Sequence, residues 1–319
     1  MQSISMIHGV DVAKDELIVQ CADQTALVRL GNNASAIRCW LRQLPKGSIV
    51  AMESTGKYHQ LLARLAHAAG MQVYVLNARR LYFYARGLEM RAKTDRLDAG
   101  VIARYVAEHR DKLHLWQPAS DAHGRLDELI RRRAVAVVKR ESIRQSLGDC
   151  KDLREEFRKL DRALAAFVHC VDRKIDELLR ADEQLRSART LIDGVIGFGP
   201  VGSAALTVLL ERVPFATSDA LVAYSGWDPR PDDSGRKRGK RRLTKAGPAY
   251  LRKQWFMVGF SAARAKALQP MYQALLARGL ATTEATVILA RKLLRAAYSV
   301  WKNKRPFDLQ VFLRPQQAA

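Results

Sequence analysis

Apolar and polar positions alternate along the first thirty residues of the chain. The alternation surrounds Asp11 and passes through the apolar runs 17–19 and 26–28. Side chains that point alternately to two faces are typical of strands with one buried face. The pattern therefore predicts a hairpin of two strands.

Helix-like and strand-like segments then take turns along the chain. Residues 34–44 and 58–69 have helical spacing and end at glycine or proline, while 48–53 and 72–76 are short apolar runs. The order of hairpin, helix, strand, helix and strand is typical of a mixed sheet covered by helices. We therefore expect an α/β N-terminal domain.

A proline-free stretch separates Pro118 from Pro200 and is helical in composition. A helix is predicted from 126 to 147, with a break at 148–149. Beyond the break, apolar residues recur every three or four positions, as in a heptad seam. They are Leu153, Phe157, Leu160, Leu164, Phe167, Val171, Ile175 and Leu178. The seam fits either a helix packed on its own domain or a coiled-coil arm that spaces two domains or joins two subunits.

A glycine-rich turn opens the last part of the chain. Gly197, Gly199 and Gly202 match the GxGxxG pattern, but no convincing strand precedes them, so a dinucleotide site is not indicated. A helix-hairpin-helix turn fits better, and its free N–H groups could hold a DNA phosphate at a helix start. A plain glycine turn between packed helices is the alternative.

Helices are predicted at 248–266 and 283–301, followed by a loosely ordered tail from 302 to 319. The expected domains are 1–147, the α/β domain with trailing helices; 148–188, a coiled-coil connector; and 189–319, a mainly α-helical C-terminal domain.

The charge of the chain is strongly positive and uneven. Lys and Arg number 54 against 32 Asp and Glu, a net charge of +22. From Ser234 onward, 19 basic residues face only Glu284 and Asp308, so +17 of the charge lies in the last quarter. Such an excess indicates a polyanionic partner, of which nucleic acid is the commonest for a soluble protein.

Four carboxylates form the strongest chemical signal. Asp11 lies inside one predicted strand and Glu53 closes another, while Asp95 and Asp98 lie three residues apart at a helix start that Thr94 could cap. Gathered together they would repel one another unless they held divalent cations, so we predict a magnesium site for phosphodiester chemistry. A surface role is a weak alternative for the two strand acids, because an unpaired acid in an apolar strand is costly; Asp98 alone fits such a role.

Ser234 lies in a proline- and glycine-rich loop, between two acids and a basic run. Its hydroxyl could attack a phosphodiester, with Arg236, Arg238 or Lys240 stabilising the transition state. A serine that caps a turn in a DNA-binding loop is the alternative. Ser203 and Ser225 are better explained by packing. The expected nucleic-acid contacts are Arg236, Lys237, Arg238, Lys240, Arg241, Arg242, Lys245, Arg252, Lys253, Gly197 and Gly199.

The four cysteines show no CxxC pair and no ligand-spaced histidines, so neither a zinc site nor a disulfide framework is indicated. No signal peptide and no apolar stretch long enough to span a bilayer is recognisable. We expect a cytoplasmic protein with reduced thiols and no membrane partner.

Three stretches, 7–14, 50–56 and 91–99, resemble the signatures of the DEDD-type bacterial insertion-sequence transposases, relatives of the pilin-gene invertase. The turn at 197–202 and the sequence at 233–235 resemble the C-terminal domain of the same family. The resemblance thus extends over nearly the whole chain.

The resemblance implies an N-terminal RuvC-like domain of the RNase H superfamily and a C-terminal serine transposase domain. It implies that Asp11, Glu53, Asp95 and Asp98 bind Mg²⁺ or Mn²⁺ and that Ser234 forms a covalent link to DNA. It further implies a coiled-coil connector and a composite active site between subunits of a dimer or tetramer. A structured noncoding RNA would pair with donor and target double-stranded DNA, and the protein would be associated with the nucleoid.

Three other functions fit parts of the sequence. A metal-only RuvC-like junction resolvase or nuclease would use the acids without Ser234. A sugar-kinase or actin-like ATPase needs a glycine in its phosphate-binding hairpin, and this chain has none at 11–14. That function would also leave the basic tail without a role. A pure nucleic-acid-binding module would leave the four carboxylates unexplained.

Overall fold

The computed structural model describes residues 6–24, 26–88, 95–118, 120–230 and 242–314, and for residues 95–98 it describes the backbone alone. The chain forms two compact units, Met1–Pro118 and Ala119–Ala319. No helix in these described ranges has the length and apolar character that crossing a membrane requires.

The first unit contains a five-stranded mixed sheet, which confirms the predicted α/β character. The first three strands are antiparallel, whereas β1, β4 and β5 run parallel, in the spatial order β3-β2-β1-β4-β5. The strands are β1 (Ile7–Val12), β2 (Glu16–Cys21), β3 (Leu27–Gly31), β4 (Ile49–Glu53) and β5 (Gln72–Leu76).

The prediction of a two-stranded hairpin before the first helix is wrong, because the same residues form three strands. Ala13 donates its N–H to the carbonyl of Glu16 in a tight turn, so the hairpin closes there. The run 27–31 is then free to add a third antiparallel strand.

Helices cover both faces of this sheet. One face packs on α1 (Ala34–Arg42) and α2 (His59–Ala68) through a core that includes Val10 and Met52. The other face packs on α3 (Ala78–Gly87) and α4 (Asp95–His109), where Leu81 and Ile102 meet the side chains of β4 and β5. A short 3-10 turn, Arg110–Lys112, follows α4.

The second unit is almost entirely helical, as the sequence predicts. A two-stranded ladder of β6 (Pro229–Arg230) and β7 (Arg242–Leu243) interrupts the helices. The helices are α5 (Asp121–Leu147), α6 (Arg154–Ala181), α7 (Glu183–Asp193), α8 (Pro200–Arg212), α9 (Ser218–Tyr224), α10 (Ala249–Arg264), α11 (Gln269–Ala277), α12 (Thr282–Asn303) and α13 (Leu309–Leu313).

Helices α5 and α6 pair along their length, joined by ion pairs such as Arg140 to Asp161 at 2.7 Å. The second half of the apolar seam of α6 packs into the core of this unit, where Val171 and Ile175 are buried. In the first half, Leu160 is exposed, whereas Phe157 and Leu164 are half-buried. Because α5 packs with the helices that follow it, the two compact units divide after residue 118. The predicted domains 1–147, 148–188 and 189–319 stay predictions.

The tail is better ordered than the sequence predicts. Helix α12 continues to Asn303, and α13 then buries Phe312 against it. The ammonium group of Lys292 lies 4.7 Å from the centre of the Phe312 ring. The prediction of a loosely ordered tail is therefore wrong for residues 302–314, because one aromatic anchor is enough to dock the short final helix.

Candidate active site

Asp11 and Glu53 lie side by side at the end of the sheet where the parallel strands β1 and β4 finish. Strands β1 and β4 are parallel, and their last paired residues are Val10 and Met52. Asp11 and Glu53 are therefore the next neighbours in the register. Residues in register on adjacent strands point to the same face of a sheet, so both carboxylates project from one face. Both side chains are half-buried.

Helix α4 lies directly on that face. Gly9 is two residues before Asp11 and therefore shares its face. A Cβ atom on Gly9 would lie 2.1 Å from the carbonyl oxygen of Ala99 and 2.6 Å from the amide nitrogen of Ala103. Only glycine permits this approach of helix to strand. The contact was not foreseen from the sequence, although a glycine inside an apolar strand is a signal of close backbone approach.

The direction of α4 brings its first turn to the acidic edge. After α4 the chain returns to the start of β5, where Trp116 donates its N–H to the carbonyl of Val73 at 2.7 Å. The end of α4 thus lies toward the end of the sheet where the parallel strands begin, and its start lies toward Asp11 and Glu53. Asp95 is the first residue of α4 and Asp98 directly precedes Ala99.

The four predicted acids thus come from three elements that meet at one end of the sheet. The side chains of Asp95 and Asp98, and the expected cap Thr94, lie outside the described residues. Among described side chains, no three His, Cys, Asp or Glu residues gather into a metal cluster. Of the four acids, the structure describes the side chains of Asp11 and Glu53. Carboxylate oxygens at this edge fit the preference of Mg²⁺ for hard oxygen ligands.

The predicted nucleophile Ser234 lies outside the described residues, as do Arg236, Lys237, Arg238, Lys240 and Arg241. The structure does describe the base of their loop. Arg230 pairs with Arg242 in the β6–β7 ladder, so the loop begins and ends at neighbouring positions. Next to the ladder, the hydroxyl of Thr244 donates to the carboxylate of Asp228, and the Thr244 N–H donates to the Asp228 carbonyl at 3.1 Å.

Two glycines lock this base into the helical core. Gly226 has a φ of +69°, and a Cβ atom on Gly247 would lie 2.1 Å from the carbonyl oxygen of Tyr224. The guanidinium of Arg252 donates to the carbonyl oxygens of Lys245, at 3.2 Å, and of Gly247. Arg252, predicted as a nucleic-acid contact, is thus half-buried and ties the end of the loop to α10.

The remaining predicted nucleic-acid contacts that the structure describes differ in their environment. Arg242, Lys245 and Lys253 are exposed. Gly197 has a φ of +95°, and a Cβ there would lie 2.7 Å from the Val258 carbonyl, so α10 packing requires this glycine. Gly199 caps the start of α8, and a Cβ there would meet nothing within 4 Å.

The glycine turn joins two helices, α7 and α8, as predicted, and its binding of a phosphate stays a prediction.

Ser203 and Ser225 are both buried, which confirms the prediction that they serve packing. Ser225 donates to the Leu221 carbonyl at 2.9 Å and accepts from the indole N–H of Trp255 at 3.0 Å. Ser203 donates to carbonyl oxygens of the turn at 3.2 Å.

Comparison with known proteins gives matches over both units. Residues 8–150 match a transposase family of the DEDD type, and residues 189–273 match the transposase IS116/IS110/IS902 family. Together these matches cover more than two thirds of the chain. The pilin gene-inverting proteins of Moraxella lacunata and Moraxella bovis are each 28% identical to the chain over 268 residues, which is 82% of this chain and 82% of the relative.

Proposed function

Because the chain belongs to the IS116/IS110/IS902 transposase family, and is therefore an enzyme of DNA recombination, we propose that it cuts and rejoins DNA at a magnesium-binding acidic site with Ser234 as the nucleophile. The observation that carries the proposal is the register of β1 and β4, which makes Asp11 and Glu53 neighbours on the face that α4 covers. A sheet of this order and direction agrees with the RuvC-like, RNase H-type domain that the family resemblance implies.

In this proposal Asp11, Glu53, Asp95 and Asp98 hold Mg²⁺, or Mn²⁺, at the scissile phosphate. Bound metal would offset the repulsion among the acids and stabilise charge on the phosphate oxygens. The acids are too negative to accept a phosphodiester on their own. Their task is to fix the place and orientation of the phosphate at the edge of the sheet.

The hydroxyl of Ser234 supplies the covalent step. Its oxygen forms a bond to phosphorus and gives up its proton, while the bond from phosphorus to a deoxyribose oxygen breaks and that oxygen takes a proton. Attack by the hydroxyl of another DNA end then reverses the step, restoring a phosphodiester and the free serine. The energy of the broken bond is conserved, so no external energy source is needed for rejoining.

The second unit has the charge for this task. Lys253, Arg242 and Lys245 are exposed near the base of the Ser234 loop, and lysine and arginine bind the phosphates of duplex DNA without reading its sequence. Sequence choice would then fall to another partner. We propose that a structured noncoding RNA from the same element serves as that partner, as the family resemblance implies.

Exposed apolar positions in the first half of the seam support an oligomer. Leu153, Leu160 and Phe167 recur at intervals of seven residues and are 46%, 43% and 55% exposed, and Val135 and Val138 of α5 are exposed as well. An apolar stripe at heptad spacing is typical of a helix that pairs with further helices. We propose that α5 and α6 act as a coiled-coil arm that joins subunits into a dimer or tetramer.

The test of the nucleophile uses purified protein with a plasmid that carries the DNA on both sides of the gene and with RNA transcribed from it. The variants are Ser234→Ala, Asp11→Asn and, as a matched control, Ser299→Ala, which changes an exposed serine on α12. Protein-linked DNA is measured on a denaturing gel, and strand cleavage is measured in parallel.

We expect Ser234→Ala to lose both the adduct and cleavage, Asp11→Asn to lose both, and Ser299→Ala to keep both. Cleavage that survives Ser234→Ala but not Asp11→Asn would instead establish a metal-only nuclease. For the RNA, full recombination after ribonuclease treatment of the protein and substrates would contradict the proposed RNA partner.

A further inference from the structure

Helix α3 carries a surface that the proposed chemistry does not use. Asn77 caps the helix by accepting from the N–H of Arg79 at 2.9 Å. Within α3, every residue of which the structure describes, only Leu81 is buried. On the outer side, Tyr82 is 57% exposed and Phe83 is 53% exposed. Two adjacent aromatic rings left in water mark an interaction surface.

Arginines surround the two rings. The Tyr82 and Phe83 ring centres are 5.5 Å apart. The guanidinium carbon of Arg79 lies 5.6 Å from the centre of Phe83, and that of Arg86 lies 5.9 Å from the centre of Tyr82. Arg80 is exposed beside them, and α3 contains no acidic residue. We call Arg79, Arg80, Tyr82, Phe83 and Arg86 the aromatic–arginine face.

The face is held rigidly from behind. Tyr84 points to α4, where its hydroxyl donates to Glu108 at 2.6 Å and its ring lies 5.0 Å from that of Tyr105. Burial, together with the hydrogen bond and charge of Glu108, raises the pKa of Tyr84 to about 12. Leu81 packs into the apolar core beneath the helix. The two outward rings therefore stand on a fixed base rather than on a mobile loop.

The chemistry of the face favours nucleic acid with unpaired bases. Arg80 and Arg86 are exposed and α3 contains no acidic residue, so the charge of the face favours a polyanion. A paired duplex hides the faces of its bases, but unpaired bases stack on aromatic rings while arginines neutralise the adjoining phosphates.

The position of the face relates it to the proposed active site. Helix α3 begins two residues after Leu76 of β5, and Leu76 pairs with Glu53. The helix thus starts at the same end of the sheet as Asp11 and Glu53. We infer that the aromatic–arginine face binds unpaired bases of a DNA strand next to the phosphate to be cut. The location beside the cut rests on the proposed function, whereas the binding of unpaired bases does not.

The test measures binding of the full-length protein to a fluorescent single-stranded DNA, to the same sequence as a blunt duplex, and to the same sequence as RNA. The variants are Tyr82→Ala with Phe83→Ala, and Tyr82→Trp with Phe83→Trp, which keeps aromatic rings. Leu61→Ala is the matched control, because it removes another exposed apolar side chain, on α2 of the same unit. A second strand carries 2-aminopurine, whose fluorescence falls when it stacks.

We expect the double alanine variant to bind single-stranded DNA at least about tenfold more weakly, since each stacked base contributes about 1–3 kcal/mol. Its duplex binding should change little, and it should lose the quenching of 2-aminopurine, while the tryptophan variant and Leu61→Ala keep both. Equal losses on single strand and duplex, or unchanged quenching, would overturn the inference. A loss confined to the RNA strand would overturn the choice of DNA.

Failure of the proposed function would look different. If Ser234→Ala continued to cleave DNA, the serine mechanism would be wrong, yet stacking on the face could persist. If stacking were absent while Ser234→Ala lost the adduct, the face alone would be wrong.

Discussion

Replacing Gly9 with alanine should disable the enzyme through the position of α4. The added Cβ would lie 2.1 Å from the Ala99 carbonyl oxygen, 2.6 Å from the Ala103 nitrogen and 3.0 Å from the Ala103 Cβ. An ordinary carbon–oxygen contact is about 3.3 Å, so the helix would have to retreat by about 1 Å. Overpacking of this kind destabilises a protein by about 1–3 kcal/mol.

The larger effect should be on catalysis. Helix α4 carries the backbone of Asp95 and Asp98, and a displacement of about 1 Å in a catalytic group lowers a rate by roughly 100-fold. The assays are the rate of DNA cleavage with magnesium and thermal unfolding by circular dichroism. We expect Gly9→Ala to fold, to unfold at a lower temperature and to cleave roughly 100-fold more slowly.

Two further variants sharpen the test. Gly87→Ala adds a Cβ with nothing within 4 Å and should keep wild-type stability and cleavage. Ala103→Gly in the Gly9→Ala background should not restore activity, because the nearest clashing atoms belong to the backbone of α4. Wild-type cleavage by Gly9→Ala would refute the tight approach of α4 to β1, and rescue by Ala103→Gly would refute the assignment of the clash to backbone atoms.

Three other predictions concern both units. Arg252→Ala should lower the melting temperature in a thermal scan, because it removes the hydrogen bonds to the carbonyl oxygens of Lys245 and Gly247. Lys253→Ala should keep the melting temperature, and in a salt titration it should reduce the salt dependence of DNA binding by about one counterion. Mixing Asp11→Asn with Ser234→Ala protein should restore cleavage that neither variant shows alone if subunits share active sites; an inactive mixture with proven subunit exchange would contradict sharing. The pKa of Tyr84 is raised in the folded state to about 12 from an ordinary value of 10, so the contribution of Tyr84 to the free energy of unfolding is complete below pH 10 and is lost as pH rises toward 12. In alkaline denaturation, Tyr84→Phe should therefore flatten the decline of the free energy of unfolding between pH 10 and 12. An unaltered decline would rule out this contribution.

Much of the first unit could be predicted because its pattern is local. The strand at 72–76 and the helices near 34–44 and 58–69 agree with the structure to within two residues. The third strand was missed because a tight turn at 13–16 splits the alternating segment earlier than its composition indicates. Such turns are set by a few backbone hydrogen bonds that alternation does not encode.

The site could be predicted in kind but not in arrangement. Asp11 and Glu53 stood out because acids rarely end apolar strands without a purpose, yet their adjacency depends on strand register, which a single sequence does not specify. Arg252 shows a second limit, because its charge does not indicate that its guanidinium donates to backbone carbonyls; its contact with nucleic acid stays a prediction. Whether a basic residue faces solvent or its own chain is decided by tertiary packing.

The pairing of β1 with β4 has a thermodynamic consequence. The two acidic side chains come side by side only once the sheet has formed, so their site for a divalent ion exists in the folded chain alone. A divalent ion that binds the folded form alone raises the stability of the whole unit by mass action. Catalytic activity and resistance to unfolding should therefore rise together with magnesium concentration, and a neutral amide at either position should weaken both effects.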